Sequence, residues 1–429
     1  MRTKISSLCI LALAVAASSS AQTRRTLHVF SGDPDGATPE SGLIMDAHGN
    51  FYGTTYFGGN GPCAGGCGTV FELTPGPTGG YTAHVLHNFQ GPLVDGQMPE
   101  APLIFDAQGN LYGTTLSGGQ NVRAASGTVF KLSPNGDGTW QETVLHSFNG
   151  ALDGGTDGGE PLAGLIFDAQ GNLYGTTAGG GIGVGCIGGN GCGTIFELSP
   201  TADGKWHEAI LHNFTNDHSD GWIPQSNLIM DSQGNFYGTT FYGGAAPQGG
   251  GTVYRLSQSG GVWQETVLYS FACGSDGCSP YSGMVFDAAG NLYGATVGGG
   301  NRSGQGTVYK LMPSASGWIE TVIHRFQGGP DGMYPYGSPI VDSAGNVYGT
   351  TFYGGEGVSN VCSDGCGIVY KLIPETGAAY TESVLTRFGS GSQGSSPLTG
   401  LLLAPSGNLY GAAAFGGPHG AGVIFEILP

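Results

Sequence analysis

The sequence predicts an all-β fold, a seven-bladed β-propeller closed by pairing of its N-terminal strand with the last blade. Three observations predict it. The phrase Gly-Asn-x-Tyr-Gly recurs seven times, with its Tyr at 52, 112, 174, 237, 293, 348 and 410. Each repeat, 55 to 63 residues long, carries four short apolar runs and no helical period. The seventh repeat stops after three runs, and a stretch that matches the missing fourth stands near the chain's start.

The second repeat shows the elements in order. Residues 103–105 (Leu-Ile-Phe) read as the innermost strand of a blade. Residues 106–110 (Asp-Ala-Gln-Gly-Asn) form a tight turn, because Gly and Asn tolerate positive φ. Residues 111–115 and 128–132 are the second and third strands, and 140–148 alternate as a half-buried fourth strand should. Four-stranded units repeated radially make a propeller. A linear solenoid has shorter repeats and needs capping ends. The termini decide against it: residues 26–30 (Thr-Leu-His-Val-Phe) match 144–148 (Val-Leu-His-Ser-Phe), so strand 24–30 is expected to complete the last blade. A charge pattern suggests the register. Lys131, Arg255, Lys310 and Lys371 on third strands are expected to pair with Glu142, Glu265, Glu320 and Glu382 on fourth strands, and Glu426 with Arg24 repeats the pair with signs exchanged. The third repeat, with Glu197 and Glu208, departs from it.

Composition narrows the class. With 39% hydrophobic and 10% aromatic residues, the 84 Gly signal turns rather than disorder. Only 13 Lys and Arg against a net charge of −18 argue against nucleic-acid binding. Residues 1–21 read as a secretory signal: Arg2 and Lys4, an apolar stretch from 5 to 17 too short to span a bilayer, then Ser19-Ser20-Ala21. Residues 22–429 are then one exported propeller domain, with no transmembrane segment and expected to be monomeric. Apart from Cys9, the cysteines form four close pairs, Cys63/Cys67, Cys186/Cys192, Cys273/Cys278 and Cys362/Cys366. In an exported chain these read as disulfides. Zinc ligation is the rival, but no His stands beside any pair.

Residues 164–177 (Gly-Leu-Ile-Phe-Asp-Ala-Gln-Gly-Asn-Leu-Tyr-Gly-Thr-Thr), followed by Gly-Thr-Ile-Phe-Glu-Leu at 193–198, resemble the tandem repeat of the bacterial GloVer proteins. The resemblance spans the mature chain. It implies an exported, cell-surface or extracellular protein and no particular activity; with the signal segment, the expected location is secreted, periplasmic or at the cell surface. A sorting anchor is common in such proteins; here the sequence ends on an expected strand.

Function is expected on the face that carries the long loops, such as residues 31–42 and 56–68, because all four cysteine pairs stiffen that side. Two repeated features lie there. Asp-Gly recurs at Asp35, Asp95, Asp157, Asp220, Asp276 and Asp331, with Gln393 in the seventh repeat. Placed around the channel mouth, these carboxylates could bind Ca²⁺ or a cationic ligand, or they could serve turn chemistry alone. A Pro follows each, and the residue after it varies: Glu40, Glu100, Leu162, Gln225, Tyr281, Tyr336 and Leu398. Trp222 and Tyr334 add aromatics, which suit sugar faces or peptide side chains. His28, His87, His146, His212 and His324 share one position, replaced by Tyr269 and Thr386 in the other two repeats; lying one per blade, they read as structural. No Gly-x-Ser-x-Gly elbow, His-Glu-x-x-His or phosphate loop occurs, so no catalytic residue is assigned. The expected function is an exported, non-enzymatic binding module for a glycan or envelope protein. The alternative is a hydrolase or lyase of an extracellular polymer that uses acidic and Tyr residues at the channel mouth.

Overall fold

The computed structural model describes residues 23–77, 79–119, 126–150, 156–186, 191–355, 362–377, 379–389 and 391–428. The expected signal segment and Cys9 lie outside the described residues. Seven four-stranded antiparallel sheets form the blades, accompanied by two short two-stranded ribbons. Blade 1 runs from the axis outward as Ile44–Met45, Phe51–Thr55, Thr69–Pro75 and Tyr81–Asn88. Blades 2 to 6 repeat that order. In blade 7, Leu402–Leu403, Leu409–Ala413 and Val423–Ile427 come from the end of the chain, and Arg24–Val29 is the outermost strand. The ring is therefore closed by the two ends of the chain, as expected. Arg24 pairs with Ile427 and Val29 with Val423, and Phe30 N donates to Gly422 O at 3.0 Å just beyond the strand.

Burial follows from the Tyr-Gly-Thr-Thr phrase. The second strand of blade 2, Leu111–Thr115, is buried along its whole length because it lies between two neighbouring blades. Its Tyr112 ring meets Phe167 of blade 3 edge-on at 5.0 Å. Gly113 stands directly opposite Phe130, whose ring crosses it; a Cβ at Gly113 would lie 2.6 Å from Phe130 Cζ. The Gly thus admits an aromatic ring from the adjacent strand. At the turn, the Asp106 carboxylate accepts from the amides of Gln108 and Asn110, from Asn110 Nδ2 and from the Tyr112 hydroxyl. Burial pushes Asp106 up, but these donors outweigh it and hold the carboxyl below its ordinary range.

The register corrects the expected charge pairs. Lys131 stands opposite Thr143, and Glu142 opposite Leu132, so the two charges are on opposite faces of the sheet. Lys131 lies over the Tyr112 ring at 5.5 Å instead. At the closure Arg24 faces Ile427, and it is Arg25 that pairs with Glu426, at 2.7 Å. The exchanged sign has a local cause. Blade 7 has Ala404 where the other blades have the turn Asp, and Glu426 supplies the missing carboxylate, accepting from Asn408 Nδ2 and the Tyr410 hydroxyl at 2.8 Å each.

Candidate functional site

The loop from one blade's outermost strand to the next blade's innermost strand builds both candidate regions. In the loop entering blade 2, Asp95 accepts from the amide of Gln90 at 2.7 Å, while its other oxygen meets His87 Nε2 at 2.9 Å. The chain then turns inward over blade 2. Thr128 Oγ1 donates to Asp95 O, and Gly96, at φ 123°, passes so close to Thr115 that a Cβ there would lie 2.3 Å from its Oγ1. Four residues after Asp95 the loop reaches Pro99 and then the axis at Glu100.

This path separates two groups that the sequence placed together. Asp35, Asp95, Asp157, Asp220, Asp276 and Asp331 do not surround the channel mouth. Each sits at a seam, bonded to His28, His87, His146, His212, Tyr269 or His324 on an outermost strand at 2.9–3.4 Å. The next blade adds a carboxyl. Glu142 faces Asp95, Glu208 faces Asp157, Glu265 faces Asp220, Glu320 faces Asp276 and Glu382 faces Asp331. Burial first, and the adjacent Asp second, push Glu142 up to about 8 and Glu208 to about 9. The four seams that carry all three residues, those of Asp95, Asp157, Asp220 and Asp331, read as His–Asp–Glu latches between blades, and a neutral Glu carboxyl can share its proton with Asp157 and with Asp331.

In three latches, His146/Asp157/Glu208, His212/Asp220/Glu265 and His324/Asp331/Glu382, the ligand atoms lie within 4.8 Å of one another, close enough to hold a cation. The variants of the motif favour hydrogen bonding. Tyr269 replaces His and keeps the bond to Asp276 at 3.2 Å, and Ala83 stands where Glu would be at the first seam. At the closing seam Arg24 donates to Gln393, so a cation and an amide replace the two acids. Sequence reasoning missed the latch. The signal was available: His, Asp and Glu are all absent together only from the closing seam.

The seven variable post-proline residues converge. Glu40, Glu100, Leu162, Gln225, Tyr281, Tyr336 and Leu398, one per blade, line a cavity of about 180 Å³ on the axis. Its floor includes Gly42, Pro102, Asn227, Gly283, Ser338 and Gly400, small or compact residues two places before the innermost strands. Across the axis the Tyr281 hydroxyl donates to Glu100 Oε1 at 3.0 Å, and the Tyr336 ring meets Tyr281 edge-on at 5.0 Å. Glu40 makes no hydrogen bond or ion pair among the described residues; burial and the neighbouring Glu100 push it up to about 8. Burial also raises Glu100, against the opposing Tyr281 bond. Gln225 Oε1 is buried without a partner.

Of the aromatic candidates, Tyr281 and Tyr336 therefore reach the cavity. Trp222 does not: it is buried in the core and stacks on Tyr242 at 4.6 Å. Tyr334 turns toward Tyr353, 6.1 Å away. The four disulfides Cys63–Cys67, Cys186–Cys192, Cys273–Cys278 and Cys362–Cys366 are formed, all in loops on the side where the post-proline residues enter the axis. No helix among the described residues is long and apolar enough to cross a membrane. The sequence profile of the Gloeobacter/Verrucomicrobia repeat matches residues 14–249, 127–358 and 245–429. No curated protein matches the chain.

Proposed function

The chain belongs to the Gloeobacter/Verrucomicrobia repeat family, and we propose that it is an exported, non-catalytic binding module that takes a ligand group end-on into the axial cavity. One observation carries the reading: the residues that vary from repeat to repeat meet at one cavity, while the frame around them stays constant. Disulfides that stiffen the loops on that side lower the entropy lost on binding, and they fit an oxidising compartment. The partner class is a glycan or an envelope protein that presents a small group to the axis. Screening the mature protein on a glycan array and against envelope fractions tests this, with Leu398→Trp run in parallel to fill the cavity. A ligand held by the wild type and lost by the variant is expected. Silence in both screens, or equal binding by both proteins, refutes the reading.

A second reading is favoured by Glu40 alone. A carboxyl near neutrality beside Glu100 could serve as a general acid on an extracellular polymer. Release of reducing ends from a polysaccharide panel, abolished by Glu40→Gln, would select it over binding.

A further inference from the structure

The axial cavity is unbalanced in a way that identifies its ligand. Above a floor that includes Asn227, Ser338 and Thr399, the groups that reach it are carboxyls (Glu40, Glu100), an amide oxygen without a donor (Gln225), the buried Ser282 hydroxyl without a partner and two Tyr rings; no Lys, Arg or His lines it among the described residues. Opposite-charge partners, not further acceptors, satisfy such a set. Leu398, one blade before Glu40, and Leu162, one blade after Glu100, flank the two carboxyls with apolar surface. We infer that the cavity binds an organic cation, an ammonium or guanidinium group on an aliphatic stem, with the charge between Glu40 and Glu100 and the stem against one of the flanking leucines. This rests on the proposed axial binding and specifies its chemistry.

The geometry supports each part. The Tyr281–Glu100 bond fixes one carboxylate and one ring in place before a ligand arrives. The edge-to-face Tyr281–Tyr336 pair offers a ring face to a cation on one side of the cavity. Glu40 remains free to supply the second charge. At about 180 Å³ the cavity suits a linear cationic group and excludes a folded chain. The titratable groups that face Glu40 are Glu100, Tyr56 and Tyr281, and none of them supplies positive charge. An empty cavity therefore keeps a proton on Glu40, and an entering cation displaces it. The same head group could be a free diamine or the side chain of Lys or Arg in a peptide.

The test is titration calorimetry on the mature chain with cadaverine, agmatine and acetyl-lysine amide or acetyl-arginine amide peptides, against glutarate and cellobiose as anionic and neutral controls. Saturable one-to-one binding of the cations is expected, weakened roughly tenfold or more by Glu40→Gln and by Glu100→Gln. It should tighten roughly tenfold between about pH 6.5 and 8.5, releasing about one proton at neutral pH. Tighter binding of the peptides than of the free amines would identify a polypeptide source; the reverse would identify a small molecule. Cation binding indifferent to both substitutions overturns the inference. So does binding of only neutral or anionic probes, but if Leu398→Trp abolishes that binding, the axial reading survives alone.

Discussion

Glu426→Ala is the most direct test of how the ring closes. The carboxylate is only 3% exposed and accepts from Asn408 and the Tyr410 hydroxyl, both at 2.8 Å, with half-exposed Arg25 at 2.7 Å. Hydrogen bonds to a charged group contribute about 1.5–3 kcal/mol each, and removing the acceptor strands the buried Tyr410 hydroxyl. The exposed partner Arg25 adds little. Part of the gross loss is returned because a buried charge is removed, which leaves a net cost of about 3 kcal/mol. An unfolding entropy of about 2.1 cal/mol/K per residue, over roughly 400 residues, makes this a fall of about 3–4 °C in Tm. Thermal unfolding followed by near-UV circular dichroism measures it. The double variant Glu426→Ala with Ala404→Asp should recover most of the loss, since six blades use an Asp at that turn. A Tm within about 1 °C of wild type for the single variant, or no recovery in the double, would refute the assignment of Glu426 as the substitute carboxylate.

Three further outcomes are expected. Stability should depend on pH through the latches: Glu142, Glu265 and Glu382, pushed up to about 8, and Glu208, to about 9, contribute fully below the ordinary carboxyl range and lose that contribution as pH rises toward 8–9. Asp35, Asp157 and Asp331, held low by their donors against burial, act in the opposite sense only at strongly acid pH. Melting curves should therefore show a maximum near about pH 4–5 and a steady decline from there to about pH 8–9, flattened in Glu208→Gln; a Tm that rises from pH 5 to 8 would be inconsistent with neutral latch carboxyls. Tyr309→Phe should stabilise the chain by roughly 1 kcal/mol, because its buried hydroxyl has no partner and blades 1, 2, 3 and 7 carry Phe at that place; urea unfolding reads the change. Gly96→Ala should cost about 2 kcal/mol or more, since the new Cβ meets Thr115 and the residue sits at φ 123°; an unchanged urea midpoint would show that the loop can move away.

Blade number, strand order and the closing strand were legible in the sequence because each depends on period alone: a phrase repeated at 52, 112 and 174 must fold alike, and a lone fourth-strand phrase at 26–30 needs an incomplete blade. Register was not legible. Lys131 and Glu142 are complementary in type, but one residue of offset decides which face each occupies, and nothing in the composition of the hairpin reveals that offset. The Asp-Gly carboxylates were recognised as a repeat but placed too near the axis. Their loop crosses the blade radially, so position along the loop converts to distance from the centre: Asp95 stays with His87 at the outer strand, while Glu100, five residues on, reaches the channel. Tyr281 and Tyr336 were found because they share the post-proline position, whereas Trp222 and Tyr334, chosen for ring chemistry, pack away from the cavity.

That radial path also explains how one position can vary while the fold does not. The outer end of each loop is fixed at its seam: in blade 2's loop, by the His87 bond and the Gln90 amide on Asp95. Its inner end is fixed by backbone contacts, with Thr54 Oγ1 donating to Pro99 O at 3.0 Å and Met98 N to Cys67 O at 2.9 Å. Glu100 follows those anchors immediately, and its side chain leaves the frame for the cavity without contributing to either. Glu, Leu, Gln and Tyr can therefore occupy the seven equivalent positions, because the backbone just before each is anchored to the frame whatever side chain follows. Selection on the ligand can then act at the axis with little effect on the stability of the ring, and seven such positions around one cavity allow its charge and shape to change one residue at a time.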